Sequence, residues 1–304
     1  MSSSVLPFVS RTNRADKPHA AVQSCSFTFL PTAGESAQRQ VRRLPKRAAG
    51  PIYRLQITPL IPVENNPKTV IVTGASQGIG AGVVKAFLAR GYNVVGTARS
   101  ATKSKELEAS DRLALIDGNT GQFEAAQKVA ELAIEKFGSI DAVVASAGIF
   151  LVKPFTEYTA EDFRALAATN LAGFIYITQL AVKQMQAQKT GGSIVSITAA
   201  LVDNPIAGQP ASLSMITKGG VAAGLRSLAL EYAKEHIRFN AVAPGIVATA
   251  LHTDNSKEYL ESRSPMGTVS TVEEIASAVV LLTESRQITG EVLHVDGGAH
   301  VGKW

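Results

Sequence analysis

Thr69-Val-Ile-Val-Thr73 runs without a break into Gly74-Ala-Ser-Gln-Gly78-Ile-Gly80, and an amphipathic stretch follows to Arg90. A β-branched apolar run, a glycine-dense turn and a helical pattern in that order commit the chain to a strand–turn–helix unit. Such a turn needs small residues if backbone N–H groups at the helix start are to approach a diphosphate, because a Cβ there would block it. The spacing is Gly-x-x-x-Gly-x-Gly rather than G-x-G-x-x-G, and no Lys-Ser/Thr pair follows, which disfavours a nucleoside-triphosphate loop. Glycine also serves ordinary strand-to-helix turns, so the flanking strand and helix are what turn the cluster into a dinucleotide site. Its candidate contacts are Gly74, Ser76, Gln77, Gly78, Ile79 and Gly80.

From Lys68 onward short apolar runs alternate with longer amphipathic ones, the pattern of a parallel sheet covered by helices. Strands are predicted at 69–73, 93–97, 113–116, 142–145, 193–198, 238–242 and 291–295. Helices are predicted near 79–90, 122–137, 160–188, 211–235 and 272–284, with Gly91, Gly138 and Gly191 as stop signals. The expectation is one α/β domain over 67–304, a Rossmann-type doubly wound parallel sheet of seven strands with helices on both faces. In such sheets the ligand lies outside the C-terminal ends of the strands.

The preceding residues are of another kind. Residues 1–60 carry a net charge of +7 and the remainder −2, so the overall +5 belongs to the N-terminal part. Residues 1–66 are rich in Ser, Arg and Pro and lack periodicity, so a flexible basic extension is expected. An organelle transit peptide and a basic tail for anionic partners are the alternatives. The basic balance therefore implies no nucleic-acid face on the domain. No stretch approaches eighteen uninterrupted apolar residues, which argues against a membrane-spanning helix. The single cysteine, Cys25, excludes an internal disulfide, and the five histidines show no ligand spacing, so no metal is expected. The cytoplasm is the expected location, with targeting by 1–66 as the alternative.

The second strand ends Gly96-Thr97-Ala98-Arg99-Ser100. Sheets that prefer NAD place Asp or Glu there to hold the ribose 2′-hydroxyl. Ala98 has no such group, and the Arg99 guanidinium suits a 2′-phosphate. NADP is the expected cofactor, with NAD as the alternative.

The Thr-Gly-x-x-x-Gly-x-Gly turn, Asn170 in Thr-Asn-Leu-Ala-Gly, Asn240-Ala-Val-Ala-Pro244-Gly245 and Val295-Asp-Gly-Gly298 together resemble the short-chain dehydrogenase/reductase family, over essentially all of 68–304. The resemblance implies a single-domain enzyme that moves hydride between NAD(P) and an alcohol or carbonyl, commonly as a homodimer or homotetramer. It further implies cofactor contacts at Asn119, Ala147, Gly148, Pro244, Gly245, Val247 and Thr249. Two departures stand out. Asn119 of Asp117-Gly-Asn119 falls where the family usually has Asp, and Ala145-Ser-Ala147-Gly148 replaces Asn-Asn-Ala-Gly.

Members of the family use Ser, Tyr and Lys, with Asn completing a proton relay. Lys218 falls at the position of that Lys, which also holds the cofactor, and Asn170 at that of the Asn. Four residues before Lys218, on the same helical face, stands Ser214 rather than Tyr, and no Tyr occurs between Tyr176 and Tyr232. The enoyl-reductase branch has Tyr seven residues before Lys, where this chain has Ala211. The usual Ser aligns with Ala199, next to Thr198, whose hydroxyl is a candidate for orienting a carbonyl unless strand alternation turns it away. The candidate catalytic set is Asn170, Thr198, Ser214 and Lys218, with Asp203 as a substitute donor.

Three readings follow. The chain is an active NADP-dependent oxidoreductase that uses Ser214, a water or the substrate itself for the proton. It is a dinucleotide-binding protein with little activity, a sensor or an oligomer partner. Or it runs a different reaction on the same fold. A small carbonyl or alcohol is the expected partner of the first, in a pocket closed by 201–211 and 250–268.

Overall fold

A computed structural model describes residues 67–250 and 255–302. The expectations for 1–66 lie outside the described residues.

Seven strands form one parallel sheet in the order β3-β2-β1-β4-β5-β6-β7. They are β1 (Thr69–Thr73), β2 (Asn93–Ala98), β3 (Leu113–Asp117), β4 (Ala142–Ala145), β5 (Gly192–Ile197), β6 (Ile237–Pro244) and β7 (Val292–Val295). Each strand sits where the sequence pattern places it. The largest difference is at β6, which extends to Pro244, and β5 stops at Ile197, leaving Thr198 beyond the strand. The helices among the described residues are α1 (Gly78–Ala89), α2 (Phe123–Phe137), α3 (Ala160–Leu166), α4 (Gly173–Gln188), α5 (Ser212–Glu231), α6 (Lys257–Glu261) and α7 (Val272–Glu284).

Side chains alternate along each strand, so the sheet builds a core on each face. Val70 and Val72 pack with Val84 and Phe87 of α1 and with Ile275, Val279 and Leu282 of α7. Ile71 and Val143 face the other way, toward Val129 of α2, Ile177 of α4 and Leu225 of α5. Burial on both faces explains why the strands read as continuous apolar runs rather than alternating ones. The order reverses between β1 and β4, which opens a crevice at their C-terminal ends.

Two expectations about helices are corrected. The predicted 160–188 helix is interrupted by a π turn, Ala167–Ala172, between α3 and α4. The apolar pattern continues through it, so periodicity alone misses the extra residue in the turn. The predicted 211–235 helix ends at Glu231, and a single tight turn, Ala233–Glu235, follows. The segment Ala160–Gln188 is long and apolar enough to cross a membrane by length and composition. Its buried residues, among them Leu166, Ile177, Ala181 and Met185, belong to the protein core.

Candidate active site

The turn after β1 is shaped by steric exclusion. Gly74 has φ +68°, and a Cβ on it would lie 2.8 Å from the backbone N and Cα of Ala147. A Cβ on Gly80 would overlap the Gly74 carbonyl oxygen. The Thr73 hydroxyl accepts the Ala147 N–H at 3.1 Å, so the ends of β1 and β4 are tied at the switch point. The N-cap of α1, Gln77, makes no side-chain capping bond and no acid stands in the first turn. A helix start with no cap from its own N-cap side chain, beside a backbone cradle, is suited to a diphosphate. Glu106, from the loop after β2, reaches the edge of the cradle and accepts the Gly78 N–H at 3.1 Å.

A cavity of about 1000 Å³ runs from this turn across the sheet's C-terminal edge. It is lined by Gly74, residues 76–80, Arg99, Asn119, Ala147, Gly148, Pro244, Gly245, Val247 and Thr249. Every residue assigned to the dinucleotide from the sequence therefore faces one cavity. Close packing keeps its far wall in place: a Cβ on Gly245 would come within 2.9 Å of Asp296, and the Thr249 methyl lies 3.4 Å from a Cβ built on Gly78.

Lys218 of α5 lines this cavity. Its Nζ donates to the carbonyl oxygens of Ile197 at 3.2 Å and Thr198 at 2.9 Å. Burial without a carboxylate partner lowers its pKa to about 8. Gly148 keeps the space beside it open, since a Cβ there would lie 3.5 Å from both Lys218 Nζ and Asn170 Oδ1. Asn170 sits in the π turn, a helix irregularity often found at functional sites. Its Oδ1 accepts the Ile149 N–H at 2.9 Å. Its Nδ2 donates to the Ile149 carbonyl at 3.1 Å and to the Thr217 hydroxyl at 3.0 Å. Both amide hydrogens are thus occupied, so the Asn170 side chain braces the segment behind Gly148.

The remaining hydroxyl candidates are engaged with backbone partners. Ser214 is fully buried, its Oγ accepting the Leu151 N–H at 2.9 Å and donating to the Leu151 carbonyl at 3.1 Å. A hydroxyl has one proton to give, so Ser214 staples α5 to the chain after β4 and is not a free acid. Thr198, which lines the cavity, likewise donates its hydroxyl to the Val242 carbonyl at 3.2 Å. Asp203 is paired with His294 Nε2 at 2.9 Å and does not line the cavity, so it is no substitute donor. Ser214→Ala is expected to cost about 1–3 kcal/mol by leaving Leu151 without its partner, while changing turnover less than tenfold. Denaturant unfolding beside steady-state rates checks this, and a larger loss of rate than of stability would restore Ser214 to the chemistry.

Three polar groups at the site carry no motif in the sequence. Thr217 joins the Asn170 network from the residue before Lys218, and Glu106 is recruited from an irregular loop. Arg263, just after α6, lines the cavity and donates through Nη2 to Gln209 Oε1 at 3.1 Å. Their partners are 47, 28 and 54 residues away respectively, so no local pattern announces them.

A family model described as enoyl-(acyl carrier protein) reductase matches residues 74–300. The chain is 32% identical over 249 residues to the L-rhamnose 1-dehydrogenase (NAD(P)(+)) of Sphingomonas sp. (strain SKA58), covering 77% of this chain and 96% of that one. It is 35% identical over 233 residues to carbonyl reductase family member 4 of Xenopus tropicalis, covering 76% and 97% respectively. Among solved structures, the 3-ketoacyl-(acyl-carrier-protein) reductase of Brucella melitensis complexed with NADH superposes with a TM-score of 0.72 at 26% identity, over 77% of this chain and 99% of that one. ElxO with NADP bound superposes with a TM-score of 0.71 at 30% identity, over 78% and 100%.

Proposed function

Because the chain belongs to the short-chain dehydrogenase/reductase family, we propose that it is an NADP-dependent oxidoreductase acting on a small carbonyl or alcohol, with Lys218 rather than a tyrosine as the proton donor. The observation that carries this reading is the half-buried Lys218 ammonium lining the cavity, with no phenol among the cavity's described lining residues. The dinucleotide, when bound, supplies hydride to the carbonyl carbon or accepts it from the alcohol carbon. The cradle that a Cβ at Gly74 or Gly80 would fill supports diphosphate binding there.

The chain's own part is to orient and to move a proton. Two of the three Lys218 N–H groups are held by Ile197 and Thr198, which leaves one for the substrate oxygen or a bridging water. In reduction the ammonium gives that proton to the oxygen and becomes an amine, then takes another from solvent. A donor with pKa near 8 is far better matched to neutral pH than an aliphatic hydroxyl. Ala199, in place of a serine, adds no hydroxyl to the cavity wall, so the lysine carries the polar work at the oxygen.

Preference for NADP is supported by Arg99, which lines the cavity with Ser76 while Ala98 offers no acid. Arg99→Ala is expected to weaken NADPH binding roughly 10- to 100-fold, the worth of a charge-assisted contact, and to leave NADH nearly unchanged. Fluorescence titration of both cofactors checks this; equal effects on the two would contradict it. The apolar side chains that α4 and α5 leave exposed, Ile175, Ile216 and Leu230, support an assembly of like subunits. A second reading, dinucleotide binding without turnover, draws on the same missing phenol. NADPH binding with no oxidation against a panel of carbonyls would favour it.

A further inference from the structure

The cavity holds three cationic side chains, Arg99, Lys218 and Arg263, and no carboxylate among its described lining residues. Two have roles in the proposed reaction. Arg263 does not. Its described polar partner is the neutral Gln209, and no described carboxylate lies within ion-pair distance of it. A guanidinium carries five N–H donors in a planar fork, so this contact leaves most of the fork for a ligand.

Arg263 and Arg99 come from different parts of the fold: Arg99 follows β2, Arg263 follows α6 in the segment between β6 and α7, and the sheet sets β1, β4 and β5 between β2 and β6. Lys218 is bound to the end of β5, a strand between those two. The position of Arg263 is also built. Its N–H donates to Leu260 at 3.1 Å, and the next residue, Ser264, is buried against Gly297. Gln209 is held by its own N–H to Ile206, and its neighbour Pro210 accepts the Lys153 N–H. The cavity lining also offers apolar surface from Phe150, Leu151, Leu201 and Ile206.

Resting on the oxidoreductase reading, we propose that Arg263 binds the carboxylate of the substrate, which is an oxo acid (or the matching hydroxy acid) with a short apolar chain between its two polar ends. The apolar wall takes that chain, and the guanidinium pairs with the carboxylate in bidentate fashion.

The test compares a series of oxo acids with their methyl esters, in NADPH oxidation and in calorimetric binding of non-reducible alkyl carboxylates and their esters to the protein saturated with NADP. The acid should exceed its ester roughly tenfold or more in kcat/KM and in affinity. Arg263→Met should collapse that ratio toward one, and Arg263→Lys, which keeps the charge without the fork, should leave an intermediate ratio. Carboxylate binding that depends on Arg263 upholds the proposal even if no carbonyl is turned over, in which case the oxidoreductase reading alone fails. Equal use of acids and esters, an unchanged ratio in both variants, or no binding of either class overturns the proposal, while turnover of neutral carbonyls leaves that reading intact.

Discussion

Lys218→Met is expected to reduce carbonyl reduction roughly 10²- to 10⁴-fold, the range that positioned acid–base catalysis contributes. The reason lies in what the rest of the site lacks. The Ser214 and Thr198 hydroxyls donate hydrogen bonds to backbone carbonyls, no carboxylate is among the described lining residues, and Glu106 is held by the Gly78 N–H at the diphosphate turn. The same substitution makes a second, independent prediction about stability. Burial holds the folded pKa of Lys218 near 8, against an ordinary value of 10.5. Between those two values the unfolded chain binds more protons than the folded one, so stability rises with pH. Wild type should therefore gain on Lys218→Met by roughly 1.4 kcal/mol per pH unit across that window, and the difference should be flat below it. Denaturant unfolding of both proteins from pH 7 to 10.5 measures this. A difference that does not change with pH would mean that Lys218 is not buried as a charge.

Gly80→Ala is expected to weaken dinucleotide binding by at least roughly 100-fold, the scale of a displaced backbone cradle that loses several N–H contacts. Elsewhere in a helix the change from Gly to Ala stabilises by about 1 kcal/mol. At Gly80 the new methyl would overlap the Gly74 carbonyl, and Gly74 is itself packed closely against the Ala147 backbone. Gly224, in the middle of α5 with nothing beyond its chain neighbours and its own helix backbone within 4 Å of a built Cβ, is the matched control. Gly224→Ala should bind NADPH normally and unfold slightly later. If Gly80→Ala binds NADPH like the control, the turn is not the diphosphate site.

Much of the architecture is legible because one physical signal is repeated. Strands such as Thr69–Thr73 and Ala142–Ala145 are buried on both faces, so their apolar runs have sharp edges in the sequence. Gly138, which ends α2 in the left-handed conformation, marks a boundary in the same local way. The π turn at Ala167–Ala172 escapes because inserting one residue into a helix leaves the apolar pattern nearly intact. The cofactor side of the site is legible for a similar reason: close backbone approach demands glycines at fixed spacing.

The proton-transfer side is harder to read. Position identifies Ser214 as the residue four before Lys218, but its hydroxyl is committed to Leu151, 63 residues away. Residue type and spacing cannot report such a commitment, because it depends on which loop the fold brings over the helix. Arg263 and Gln209, which meet across 54 residues, are hidden for the same reason. Substrate loops are set by tertiary contacts between irregular segments, where neither periodicity nor turn chemistry applies.

The most direct measurement is NADPH oxidation by the wild-type protein against a panel of oxo acids and simple carbonyls, followed from pH 6 to pH 10. With Lys218 as the donor, at least one carbonyl is consumed, and kcat/KM falls as pH rises through about 8, where the ammonium is lost. NADPH that binds but is not consumed, or a rate that is level across that range, would contradict the assignment.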